Sequence, residues 1–210
     1  MRARQEGRRG ILFVISAPSG AGKSSLAREL LRTIEGMEFS VSYTTRPRRE
    51  GEEEGREYHF IHKTRFETMV EENAFLEWAN VFGERYGTAL ERTEKLLSQG
   101  KDLLLDIDIQ GARQVRSRME PVSIFVLPPD YLTLEARLRE RKSEADSEVA
   151  RRLSISRQEA GEYRRYDYVV VNDDLGRAVR ELGSIIEAEQ RRVARCRAEA
   201  ERILSTFPAS

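Results

Sequence analysis

Cysteine is almost missing from this 210-residue chain: Cys196 stands alone. No internal disulfide can form, so packing must hold the core, and a reducing compartment fits. No apolar run approaches the roughly 18 residues that a membrane helix needs. The basic leader from Met1 to Gly10 lacks the apolar stretch of a secretory signal and reads as a disordered arm. A cytoplasmic chain with no membrane partner is expected. An excess of one sign of charge is missing too, since Lys+Arg and Asp+Glu number 36 each. A dedicated nucleic-acid binder needs a surplus of positive charge to neutralise phosphates, so no nucleic-acid partner is expected. Lysine is scarce, with five against 31 arginines. Arginine makes planar bidentate bonds to phosphate, although genome composition accounts for such a bias equally well.

What is present is a rhythm. Ile11 to Ser16, Leu103 to Ile107, Val122 to Leu127 and Tyr168 to Val171 are apolar runs of strand length. Helical composition follows each, which predicts an α/β fold with a parallel sheet and helices on both faces. Two segments interrupt it. Phe39 to Asn80 carries short strand-like pieces around Val41, Tyr58 and Leu76 and a helix near Phe66, as in a small inserted α+β unit. Glu135 to Arg165 is charged and helical, with few large apolar residues after Leu138, and reads as a cover. Leu175 to Leu204 reads as one amphipathic helix, with Val179, Leu182, Ile186, Val193 and Cys196 near one face.

The first strand runs into Ala17-Pro18-Ser19-Gly20-Ala21-Gly22-Lys23-Ser24, followed by Ser25 and a helix. The phosphate-loop pattern is G-x-x-x-x-G-K-[ST]; only its first glycine is replaced, by Ala17. A methyl group there is costly only if the backbone adopts a positive φ. Gly20 and Gly22 let the backbone amides cradle phosphate oxygens, and the helix adds its positive end. Lys23 can reach the β- and γ-phosphates, and the Ser24 hydroxyl can ligate Mg²⁺. The strand Leu103-Leu-Leu-Asp106-Ile-Asp108 ends in carboxylates where open parallel sheets place their ligands. Asp106 can hold Mg²⁺, or either Asp can cap the next helix. A nucleoside triphosphate with Mg²⁺ is the implied ligand.

Between Ser42 and Phe60, Arg46 and Arg49 can clamp a phosphate monoester, with Tyr58 and Ser42 as hydroxyl donors. An arginine-rich loop on a solvated face fits the spacing just as well. The string Thr44, Thr45, Arg46, Arg49, Glu52, Gly55, Tyr58, Phe60 resembles the guanylate kinase signature. The phosphate loop from Ser16 to Ser25, Asp106-Ile-Asp-Ile-Gln-Gly111 and Val171-Asn-Asp-Asp174 extend the resemblance to nearly the whole chain.

The resemblance implies a three-layer P-loop fold in one domain: a core (about 10–38, 89–134 and 166–210), a GMP-binding unit (about 39–88) and a helical lid (about 135–165). It implies ATP and GMP as substrates, with Mg²⁺. Ser42, Arg46, Arg49, Tyr58 and Tyr86 would hold the GMP phosphate, and Glu77, Thr88 and Asp108 would read the guanine edge. Arg137, Arg141 and Arg152 would fold over the ATP phosphates, while Arg139 and Arg151 would be solvated. Asn172 and Asp173 would form the adenine-side turn, which is also a plausible helix cap. The proline at position 47 sits one place earlier than is common in the family, so Arg48 is left without a role. A phosphopeptide-binding module of this family and a kinase for another nucleotide are the rival readings. The intact Gly22-Lys23-Ser24 and the lid arginines speak against the first.

Overall fold

The computed structural model describes residues 8–81, 83–140 and 146–208. In chain order the elements are β1 (Leu12–Ser16), α1 (Lys23–Thr33), β2 (Met37–Phe39), β3 (Ser42–Thr44), β4 (Tyr58–Phe60) and α2 (Lys63–Glu71). Then come β5 (Phe75–Val81), β6 (Glu84–Ala89), α3 (Leu90–Ser98), β7 (Asp102–Asp106), α4 (Ile109–Arg118) and β8 (Val122–Leu127). The chain continues through α5 (Tyr131–Arg139), α6 (Asp146–Gly161), a 3-10 turn at Glu162–Arg165, β9 (Tyr168–Val171), α7 (Leu175–Gln190) and α8 (Val193–Leu204).

Five strands form a parallel sheet in the order β2-β7-β1-β8-β9. Alternation along β1 divides its side chains between two apolar layers. Phe13 and Ile15 pack with Leu26 and Leu30 of α1 and with Leu182 and Ile186 of α7. Leu12 and Val14 pack on the other face with Leu97 of α3 and Ala112 and Val115 of α4. The three-layer α/β architecture is the expected one. The edge strand β2 was not anticipated, because three residues are too few to show a period.

The interrupting segment forms a second sheet, β4-β3-β6-β5, in which only the β3–β4 pair is parallel. Phe66 and Met69 of α2 pack against Phe75 beneath it. The charged segment before β9 has a small apolar cluster of its own, Leu134, Leu138 and Val149, with Leu153 against it. The expected single C-terminal helix is broken: α7 ends at Gln190, and Arg192 has ψ 138 as the cap of α8. Glu189, buried against Tyr168 and Arg192, holds the chain where it turns away. Val193, expected on the packed face, is therefore 80% exposed, and α8 buries none of its residues.

Candidate active site

The phosphate loop takes the shape its glycines allow. Gly20 and Gly22 have φ of 91 and 88, while Ala17 is not among the residues with positive φ. The missing first glycine therefore costs no backbone strain. A side chain at Gly22 would also collide with Asn172 Nδ2. That amide donates to the Ala21 carbonyl at 2.8 Å, and Arg137 donates to the Asn172 carbonyl at 3.0 Å and the Ala21 carbonyl at 3.5 Å. Arg137 and Asn172 thus brace the loop through its main chain.

Lys23 opens α1 and forms an ion pair with Asp106. The β1–β7 register, Ile15 opposite Asp106, brings that carboxylate to the end of the sheet beside the loop. Burial lowers the Lys23 pKa to about 8, with Asp108 and Glu77 pulling the other way. Asp108 caps α4, accepting from the Gly111 amide at 2.7 Å. Asp106 takes no such capping role: it faces Lys23.

The α6 helix reaches the same loop. Arg152, 8% exposed, donates to Ser19 Oγ at 3.0 Å. The Glu159 carboxylate accepts from the Ser19 amide at 3.2 Å, and burial raises its pKa. These residues line a cleft of about 660 Å³ together with Lys23, Ser24, Asp108 and, from β5, Asn80 and Val81. Arg151 also lines it and is exposed, as expected. Arg139, paired with Glu135 at 2.7 Å, is exposed as expected. Arg141 lies outside the described residues.

On the second sheet, register gathers the expected acceptor residues. Ser42 stands opposite Tyr58, and Thr44 opposite Tyr86. The Tyr58 and Tyr86 rings meet edge to face at 5.7 Å. The Arg46 guanidinium lies 5.4 Å from the Tyr58 ring centre and pairs with Glu52 at 2.7 Å. Glu52 also accepts from the Arg49 amide at 2.8 Å, which shapes the arginine loop. Both Arg48 and Arg49 are exposed.

Glu77 is 4% exposed, whereas its neighbour Trp78 is 37% exposed. The strand register sets Glu77 opposite Thr88, with an irregularity between Phe75 and Glu77 that re-aims the strand. Thr88 Oγ1 donates to Glu77 at 2.6 Å. Burial raises the Glu77 pKa to about 7, the Thr88 hydroxyl opposes this, and Asp108 adds to it.

The family model described as guanylate kinase matches residues 9–189. The chain belongs to the guanylate kinase family. The guanylate kinase of Syntrophotalea carbinolica is 53% identical over 197 residues, covering 93% of this chain and 94% of that one. That of Geobacter metallireducens is 48% identical, covering 90% and 93%. The crystal structure of guanylate kinase from Anaplasma phagocytophilum matches at 33% identity with a TM-score of 0.74, over 96% of this chain and 97% of that one.

In this chain the residues expected at the phosphate loop, the arginine loop and the β5–β6 strand pair fall into two adjoining groups. Asp108 and β5, with Glu77 on it, join them. Asn172 is buried and braces the loop, while Asp173 pairs with Arg177 and Asp174 caps α7. No sequence signal points to Glu159, which lies in a charged helical stretch without a motif. Gln110 is also in the cleft, and its place in the string Asp106 to Gly111 is its only signal in the sequence.

Proposed function

We propose that this chain transfers the γ-phosphoryl group of ATP to GMP, giving ADP and GDP. The observation that carries the reading is one cleft lined by the phosphate loop, Arg152, Asp108 and β5, with the buried Glu77 carboxylate beside it. Ala17 to Ser25 would hold the ATP phosphates, with Asn172 and Asp173 on the adenine side. Ser42, Arg46, Arg49, Tyr58 and Tyr86 would hold the GMP phosphate.

Glu77, Thr88 and Asp108 would read the base. Thr88 has one hydroxyl proton, now given to Glu77. Turned towards guanine O6, it leaves the carboxylate to accept from N1–H and the 2-amino group. Adenine has neither donor, and a buried carboxylate deprived of partners is costly.

No cluster of three or more His, Cys, Asp or Glu side chains suited to a metal occurs among the described residues. Ser24 and Asp106 are hard oxygen donors of the kind that bind Mg²⁺ together with substrate phosphates. When bound, the ion would neutralise charge on those phosphates. Every other part of the catalysis is positioning and fixed charge, from Lys23, Arg49, Arg137, Arg141 and Arg152. The GMP phosphate is already ionised near neutral pH, so no general base is needed. The residue 39–88 unit and the residue 135–165 lid, whose lower limit falls inside α5, would exclude water around the transfer. The reaction belongs in the cytoplasm, where both nucleotides are supplied.

Incubation with Mg²⁺, GMP and ATP labelled in the γ-phosphoryl group tests this. Label should appear in GDP, and Lys23→Ala should cut turnover about 100- to 1,000-fold. Label released only as inorganic phosphate, or near-normal turnover by the variant, contradicts the proposal.

A further inference from the structure

Glycine is a poor helix former, and in a helix interior it needs a reason. Gly111 is the third residue of α4. Its φ is not in the left-handed region, so the backbone itself does not require glycine.

The reason lies across the helix–strand contact. Gly111, Gln114 and Arg118, spaced i, i+3 and i+7, share one face of α4. Gln114 accepts from the Trp78 amide at 3.1 Å and donates to the Trp78 carbonyl at 2.7 Å. Arg118 donates to the Phe75 carbonyl at 2.6 Å. These bonds fix the helix against β5 on either side of Glu77. A Cβ at Gly111 would lie 2.6 Å from Glu77 Oε2, 3.3 Å from its Cδ and 3.4 Å from Asp108 Oδ1. The contact under 3 Å is with the end of a side chain, and no backbone atom stands so near.

We infer that Gly111 is a specificity-determining positioning residue: its missing side chain is the space that holds the Glu77 carboxylate in place to read guanine. The inference rests on the reading of Glu77 given above. A methyl group at this position displaces Oε2 while Thr88 still engages Oε1, so the carboxylate swings and the fold stays.

The test compares wild type, Gly111→Ala, Glu77→Gln and the double variant by steady-state kinetics with GMP and ATP and by thermal melting. G111A should raise the KM for GMP about 10- to 100-fold. Its KM for ATP should stay within about twofold, and its melting should remain cooperative near the wild-type temperature. If Gly111 acts through Glu77, the double variant should be little worse than E77Q alone. An unchanged GMP KM in G111A beside a weakened E77Q overturns the inference and leaves the Glu77 reading intact. Fully additive losses, or loss of cooperative melting in G111A, overturn it too. An E77Q variant with wild-type GMP kinetics refutes the Glu77 reading itself.

Discussion

Two buried ionisable groups set the behaviour of the site near neutral pH. Glu77 is raised to about 7 and Lys23 lowered to about 8, each chiefly by burial. The proposed reaction needs Glu77 as carboxylate and Lys23 as ammonium, forms that coexist best between those values. A plot of kcat/KM for GMP against pH should therefore be bell-shaped, falling below about 7 and above about 8. In Glu77→Gln the acid limb near 7 should disappear.

Stability follows the opposite sign. The folded state binds the Glu77 proton more tightly than the unfolded chain, so this group's contribution is full below about 4.5 and is lost as pH rises through about 7. Glu77→Gln should gain about 2 kcal/mol at pH 8 and much less at pH 5. That gain corresponds to a rise of roughly 4–8 °C in melting temperature. Equal gains at both values would contradict the assigned cause. In the sequence Glu77 is reached only through what the family resemblance implies, since a lone carboxylate beside Trp78 carries no motif. Burial was illegible because the strand irregularity that turns it inward depends on pairing with β6.

Among the elements, the phosphate loop was the most legible. Strand, glycines, lysine and helix are local in sequence, and the absence of positive φ at Ala17 explains how the pattern survives its departure. The α7–α8 break was illegible for the converse reason. Apolar periodicity continues through Val193, but Tyr168 and Glu189 fix the end of α7 from a distant strand. Because no residue of α8 is fully buried, a chain ending at Arg192 should melt within about 2 °C of the full chain, as calorimetry would measure. A larger fall would reveal packing by α8 that its exposure does not account for.

At the scale of the whole molecule, chemistry is concentrated where three pieces of chain meet. The end of the parallel sheet and the starts of α1 and α4 supply Asp106, Lys23 and Asp108, the second sheet supplies Glu77 and Thr88, and α6 supplies Arg152 and Glu159. The parallel sheet could be read from alternating strands and helices. The convergence could not, since Ser19 and Glu159 are 140 residues apart and no motif relates them. The direct measurement of the central claim is the ratio of kcat/KM for GMP to that for AMP, in wild type and in Glu77→Gln. A wild-type ratio of about 1,000 or more, collapsing in the variant, is the expected result. A ratio near unity in the wild type, or one that the substitution leaves unchanged, would contradict selection by a buried carboxylate.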